Sequence, residues 1–116
     1  MRGIDEAREF ALSLPGVTEQ PHHDMSSFRV AGQIFTTVTA DETRLHVFVG
    51  EPEISATVAE DPAAYEPLYW GKKLRGVRVL LAAAPAARVR ELLTEAWLGK
   101  APEGLISQLP GSENRS

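Results

Sequence analysis

The side chains best suited to chemistry are two neighbouring histidines and an aspartate, His22, His23 and Asp24. Imidazole and carboxylate groups bind metal ions and transfer protons. However, neighbouring side chains on an extended chain point to opposite sides, and local metal motifs use wider spacings. A third ligand would have to come from elsewhere, and His46 is the only other histidine of the sequence. We therefore interpret the cluster as the entrance to a strand and expect no metal ligands.

The sequence carries no other catalytic signature. Ser26 and Ser27 follow the histidines, but a catalytic triad is defined by geometry and not by neighbouring positions. The chain contains no G-x-S-x-G or H-E-x-x-H motif, no glycine-rich phosphate loop and no cysteine. We therefore expect a protein that is not an enzyme, with no catalytic residues and no cofactor-binding residues.

The stronger candidate is the segment YWGKKLRGVRV at positions 69–79, which combines aromatic and cationic side chains. Lysine and arginine neutralise phosphates, and tyrosine and tryptophan stack on bases or sugars. In the alternative interpretation, the aromatic rings cover the edge of the core and the cations keep a loop hydrated. The predicted nucleic-acid contacts, with DNA as the partner, are Tyr69, Trp70, Lys72, Lys73, Arg75 and Arg78.

Charge is unevenly distributed along the chain. The formal net charge is −4, whereas dedicated nucleic-acid-binding domains are usually basic. Yet positions 67–90 carry six of the twelve lysines and arginines and no acidic residue. DNA binding therefore requires that the cations between positions 72 and 90 form one accessible ridge. The hypothesis loses its support if these cations are scattered or already neutralised by carboxylates.

The hydrophobic periodicity predicts an α+β fold of order α-β-β-β-α-β-α. This order is typical of a four-stranded antiparallel sheet with helices packed on one face. In chain order the predicted elements are a helix at 4–14, strands at 28–30, 34–38 and 44–49, a weak helix at 51–61, a loop at 63–73, a strand at 74–81 and a helix at 85–98.

The opposite face of such a sheet is expected to be partly open and to carry Arg29, His46, Phe48 and Arg78. This expectation supplies a second functional hypothesis, a protein-interaction or small-ligand-binding module that uses the open face. A large exposed apolar patch or a closed pocket would favour the second hypothesis over DNA binding.

Length and composition predict one domain at residues 1–110, with a disordered tail at 111–116. The first residues are acidic and amphipathic and do not resemble a signal peptide. No stretch approaches the roughly 18 apolar residues of a membrane span. We therefore expect a cytoplasmic protein that does not contact a membrane. The sequence leaves the oligomeric state open.

Three of these segments together resemble the MmcQ/YjbR family: ALSLPGVTEQPHHDMSSFRVAGQIFTTV, DPAAYEPLYWGKKLRGVRV and LLTEAWLGKAPEGL. They run in the family's order from about residue 5 to residue 106. The resemblance implies a compact α+β fold related to the frataxin-like, or CyaY-like, arrangement. It also implies DNA binding, a label the family carries from a proposed double-wing arrangement, and it supplies no catalytic residues. His23 departs from the family pattern, which often has an aromatic residue there.

Overall fold

The computed structural model describes residues 3–109. Its helices are α1 (Ile4–Ser13), α2 (Glu51–Glu60), α3 (Ala86–Leu98) and α4 (Glu103–Ile106). Its strands are β1 (Val17–His22), β2 (Met25–Val30), β3 (Gln33–Val38), β4 (Arg44–Val47), β5 (Tyr65–Trp70) and β6 (Lys73–Leu80). The predicted α+β class is confirmed, and the predicted tail at 111–116 lies outside the described residues.

The strands form one antiparallel sheet of six strands in the order β1-β2-β3-β4-β6-β5. The prediction of four strands is therefore wrong, and so is the loop predicted at 63–73, which contains β5. Both missed strands are edge strands, and each contains a proline, Pro21 in β1 and Pro67 in β5. Proline has no N–H to donate and so suggests a loop, but an edge strand tolerates it because one side of its backbone has no partner strand.

Helices α1, α2 and α3 pack against the same face of the sheet and enclose the core. The apolar stripe of α3 buries Val89, Leu92, Leu93 and Trp97 completely or almost completely. The Trp97 indole Nε1 donates a hydrogen bond to the carbonyl oxygen of Pro15 at 3.0 Å, so its buried polar atom is satisfied. The helices thus cover this face of the sheet, and the opposite face carries no helix among residues 3–109.

Three two-residue turns connect strand pairs: His23-Asp24 joins β1 to β2, Ala31-Gly32 joins β2 to β3, and Gly71-Lys72 joins β5 to β6. The first residue of each turn has a positive φ, 60° at His23, 52° at Ala31 and 62° at Gly71. Such φ values match the twist of a tight hairpin. The turn predicted at Ala31-Gly32 is present, and the histidine pair lies at a hairpin end.

The open face of the sheet carries a continuous row of polar side chains. Successive Cα partners across the strands give the row Gln20, Ser27, Thr37, His46, Arg78 and Glu66. Because side chains alternate along a strand, this row lies on the side opposite the core residues of β2, β3, β4, β6 and β5, which include Phe28, Val38, Leu45, Val77 and Tyr65. One polar row therefore crosses all six strands on the face that the helices leave uncovered.

Candidate binding site on the open face of the sheet

The aromatic residues of the predicted DNA-binding segment lie at the end of β5. Tyr69 and Trp70 are among the exposed large apolar side chains of the described residues, 54% and 53% exposed respectively. Exposure of two neighbouring aromatic rings is costly in water and is typical of contact surfaces. Neither ring belongs to the core cluster of the described residues.

The cations of that segment are distributed along the β5–β6 hairpin. Lys72 lies in its turn, and Lys73 pairs with Trp70 at its end. Arg75 has no Cα partner on β5, because the register shifts between Leu68 and Tyr69. Its guanidinium lies over the Trp70 ring, 4.6 Å from the ring centroid. Trp70 therefore positions Arg75 through a cation–π contact.

Arg78 lies farther along β6, between His46 on β4 and Glu66 on β5. Glu66 thus places a carboxylate on the neighbouring strand. Within the described part of the chain, Arg78 forms no ion pair shorter than 4.0 Å, and neither do Lys72, Lys73 or Arg75.

The last two cations of the expected ridge are neutralised elsewhere. Arg88 of α3 donates to Glu60 and Glu53 of α2 at 3.0 and 3.3 Å. Arg90 lies 3.8 Å from a carboxylate oxygen of Glu6. The expectation of a single ridge from position 72 to position 90 is therefore wrong, since its last members pair with carboxylates. The candidate surface is reduced to the hairpin and the open sheet face.

A cavity of about 450 Å³ opens on this face beside the hairpin. Its cationic lining residues are Arg29, Arg75 and Lys100, and its aromatic ones are Phe48 and Trp70. Among residues 3–109, no aspartate or glutamate lines the cavity, although the chain as a whole has a formal net charge of −4. The cavity therefore presents a positive, partly apolar environment in an acidic protein. Among the residues predicted for the open face, Arg29, His46 and Phe48 all line it.

Arg29 is held in place by a chain of hydrogen bonds. Its Nε donates to the hydroxyl of Ser27 at 3.1 Å, and that hydroxyl donates to the carbonyl oxygen of Gln20 at 2.7 Å. Ser27 is fully buried. Because its partner is a neutral hydroxyl, Arg29 keeps its full charge available to a ligand.

Thr37 supplies an unpaired polar atom to the cavity. The residue is 1% exposed, and its Oγ1 has no hydrogen-bond partner among residues 3–109. The neighbouring Thr36 differs, since its Oγ1 donates to the carbonyl oxygen of His46 at 2.8 Å. A buried hydroxyl without a partner costs roughly 1–3 kcal/mol. This cost would be recovered if a ligand supplied the partner.

His46 is the Cα partner of Thr37 and lies beside it in the cavity lining. Burial, followed by the charges of Arg78 and Arg44, lowers the pKa of His46 from its ordinary value near 6.5. The imidazole is therefore neutral at pH 7 and offers one N–H donor and one acceptor nitrogen. Charge at this site comes from the arginines and the lysine.

The two histidines of the hairpin end have different environments. The rings of His22 and His23 meet edge to face with centroids 4.6 Å apart. His22 lines the open-face cavity, whereas His23 borders a separate groove near Asp24. Among residues 3–109 no group of three histidine, aspartate or glutamate side chains is arranged to hold a metal ion. Sequence reasoning placed these residues at a strand entrance but did not foresee that His22 reaches the cavity.

A second groove of about 620 Å³ adjoins the cavity and shares Phe48, Arg75 and Lys100 with it. Its lining also includes Glu53 and Glu95. The two carboxylates make this groove less suitable for an anion. Of the two neighbouring sites, the open-face cavity is therefore the better candidate for a negatively charged ligand.

The sequence of this chain is similar to one known protein family. The family model for YjbR matches residues 12–98, about three quarters of the chain. The chain belongs to the YjbR family. The resemblance inferred from the sequence segments is thereby confirmed. No curated protein matches this YjbR chain in sequence.

The YjbR domain also has a solved structural neighbour, the crystal structure of Deinococcus radiodurans protein DR2400 with its DUF419 domain. The TM-score is 0.73 at 22% sequence identity, and the match covers 96% of this chain and 82% of the neighbour. At this identity the likeness concerns the fold. Within residues 3–109 the YjbR domain has no helix long and apolar enough to span a membrane.

Proposed function

We propose that this YjbR domain is a binding module, rather than an enzyme, and that it holds a small anionic ligand in the open-face cavity. The observation that carries the proposal is the charge of the cavity lining. Within the described part of the chain, Arg29, Arg75 and Lys100 line it without any carboxylate, in a protein of formal net charge −4. Such a local excess of positive charge attracts anions regardless of the sign of the whole protein.

The size of the cavity favours a small molecule over a protein partner. Its volume of about 450 Å³ lies within the roughly 300–1,000 Å³ of small-molecule sites. Its mixed lining of aromatic rings and a few polar groups also matches such sites. The largest exposed apolar side chains of the described residues are Leu12, Tyr69 and Trp70, which do not form the broad apolar patch of a protein interface.

Titration with inorganic phosphate, followed by backbone amide chemical shifts, tests the proposal. Saturable shifts are expected at β2, β3 and β6 around Arg29, Thr37 and Arg75. The double variant Arg29→Ala/Arg75→Ala is expected to lose them, whereas Arg44→Ala, an open-face cation outside the cavity lining, is expected to retain them. Shifts that are absent, or that are equal in the double variant and the wild type, would contradict anion binding in this cavity.

DNA binding is the second candidate function, now through the β5–β6 hairpin alone, since the cations from position 72 to position 90 do not form the single ridge required above. The observation that favours it is the β5–β6 hairpin, where Lys72 and Lys73 form no ion pair among residues 3–109 and stand beside exposed Tyr69 and Trp70. Cations would contact phosphates there, and the rings would stack on bases. The neutralised Arg88 takes no part in this candidate surface.

Fluorescence anisotropy with duplex and single-stranded DNA at two salt concentrations tests the second candidate. If it holds, the charge reversal Lys72→Glu/Lys73→Glu weakens binding and flattens its dependence on salt. Association that is only micromolar or weaker and does not saturate at low salt would exclude the hairpin as a nucleic-acid site.

A further inference from the structure

The open-face cavity combines cationic, aromatic and neutral polar groups, and this combination specifies its ligand further. We propose that the ligand is an aromatic carboxylate that carries a ring hydroxyl, bound with its acidic group near Arg29 and Arg75 and its hydroxyl against Thr37. The inference rests on the proposed function, since it assumes that the cavity binds an anion. It adds the chemical class of that anion.

The acidic group is assigned to the arginines because both are positioned in advance. Ser27 holds Arg29 through a hydrogen bond of 3.1 Å, and Trp70 holds Arg75 through a contact of 4.6 Å. A guanidinium presents parallel N–H donors that match a carboxylate. Little side-chain freedom remains to be lost when the anion binds, so the arginines bind more tightly than free surface cations would.

The ring is assigned to the apolar part of the lining. Phe48 and Trp70 meet edge to face there, with ring centroids 5.5 Å apart, and Ile34 and Met25 also line the cavity. Trp70 remains 53% exposed although it contacts both Phe48 and Arg75. A ligand ring that packs against it would remove this exposed aromatic surface from water. A small inorganic anion would leave it uncovered.

The ligand hydroxyl is assigned to Thr37 because the side-chain oxygen of this residue lacks a hydrogen-bond partner among residues 3–109. Its Oγ1 is buried and unpaired in the free protein, and the neutral imidazole of His46 lies on the next strand. A hydroxyl both donates and accepts, so it can satisfy Thr37 and His46 together. A ligand without such a group leaves the Thr37 oxygen unpaired and recovers none of its cost.

Calorimetric or amide-shift titrations with a matched set of compounds test the ligand class. The set contains the three hydroxybenzoate isomers, benzoate without the hydroxyl, acetate without the ring and benzyl alcohol without the charge. At least one hydroxybenzoate is expected to bind about tenfold more tightly than benzoate, since one recovered hydrogen bond gives about this factor. Benzoate in turn is expected to bind more tightly than acetate and benzyl alcohol.

The variant Thr37→Val separates recognition from folding. It removes an unpaired oxygen, so the thermal stability of the free protein is expected not to fall. The preference for hydroxybenzoate over benzoate is expected to disappear in the same variant. Thr36→Val is the matched control: it loses the hydrogen bond to His46 and some stability, but keeps the preference.

Each outcome bears on one of the two proposals. If acetate binds as tightly as every hydroxybenzoate, or if Thr37→Val keeps the preference, the inferred ligand class is wrong while anion binding stands. If neither phosphate nor any carboxylate of the set shifts the open-face amides, the proposed function itself is wrong. A hydroxybenzoate preference that depends on Thr37 supports both.

Discussion

Arg75 lies over the ring of Trp70, with its guanidinium carbon 4.6 Å from the ring centroid. Phe48, which follows β4, contacts the same indole edge-on. The indole therefore joins the β5–β6 hairpin to the end of β4 and holds a cation at the border of the open-face cavity. This arrangement makes Trp70 a positioning residue for Arg75 as well as part of the apolar wall.

Replacement of Trp70 by alanine is expected to weaken benzoate binding about two- to thirtyfold, because a cation–π contact of roughly 0.5–2 kcal/mol no longer positions Arg75. Tyr69→Ala is the matched control, since Tyr69 is equally exposed at 54% but does not line the cavity. Isothermal titration of both variants measures the difference. Equal affinities of the two variants would contradict the positioning role.

His46 is expected to make stability depend on pH. Its folded-state pKa is lowered by burial and then by Arg78 and Arg44, so its protonation favours the unfolded chain. The contribution to stability is therefore complete above about pH 6.5 and declines as the pH falls below that value. The urea concentration at the unfolding midpoint should decrease from pH 7.5 to pH 5.5, and this decrease should be larger for the wild type than for His46→Gln. An equal fall would show that His46 is not responsible.

The same residue is expected to make anion binding depend on pH in the opposite sense. A bound carboxylate favours the protonated imidazole, so benzoate affinity should rise as the pH falls from 7.5 to 5.5. The groups that face His46 or share its cavity are Thr37, Arg78, Arg44, His22, Arg29, Arg75 and Lys100. Because His22 is the other histidine among the described lining residues, the comparison of His46→Gln with His22→Gln assigns the effect. If the benzoate affinity of His46→Gln rises with falling pH as much as that of the wild type, His46 is not the cause.

Arg88 is expected to stabilise the fold and to have no part in binding. It bridges α3 to α2 through Glu60, Glu53 and Thr57, and the hydrogen bond to Glu60 raises its pKa. Replacement by alanine leaves the buried hydroxyl of Thr57 without this partner and should cost roughly 1–3 kcal/mol, whereas the partly exposed carboxylates of Glu53 and Glu60 contribute little. Chemical denaturation measures the loss, with Arg75→Ala as the control. Unchanged stability of Arg88→Ala would mean that the bridge contributes nothing.

Gly76 is expected to be essential for strand packing. A Cβ at this position would lie 2.1 Å from the carbonyl oxygen of Val47, so the backbones of β6 and β4 would have to separate. Overpacking of this kind costs roughly 1–3 kcal/mol or more. Gly104→Ala is the matched control, since a Cβ there meets nothing within 4 Å. Thermal unfolding should show a large decrease in the melting temperature for Gly76→Ala and none for Gly104→Ala.

Local sequence patterns predicted those helices and strands in which apolar residues recur at the spacing of the element. The helical spacing of apolar residues predicted α1 and α3, and the alternation around Leu45 and Val47 predicted β4. The same alternation assigned Arg29 and His46 to the face opposite the core. It failed at β1 and β5, because Pro21 and Pro67 look like strand breakers unless the edge position is known.

By itself the sequence determined the α+β class, most of the element order, the family and the side chains that avoid the core. Only the tertiary structure decided which cations remain available, since Glu53 and Glu60 neutralise Arg88 from another helix. It also decided that Thr37 is buried without a partner and that Lys100 reaches the cavity. The reason is physical: periodicity reports contacts between near neighbours, whereas charge pairing and burial depend on segments that meet only after folding.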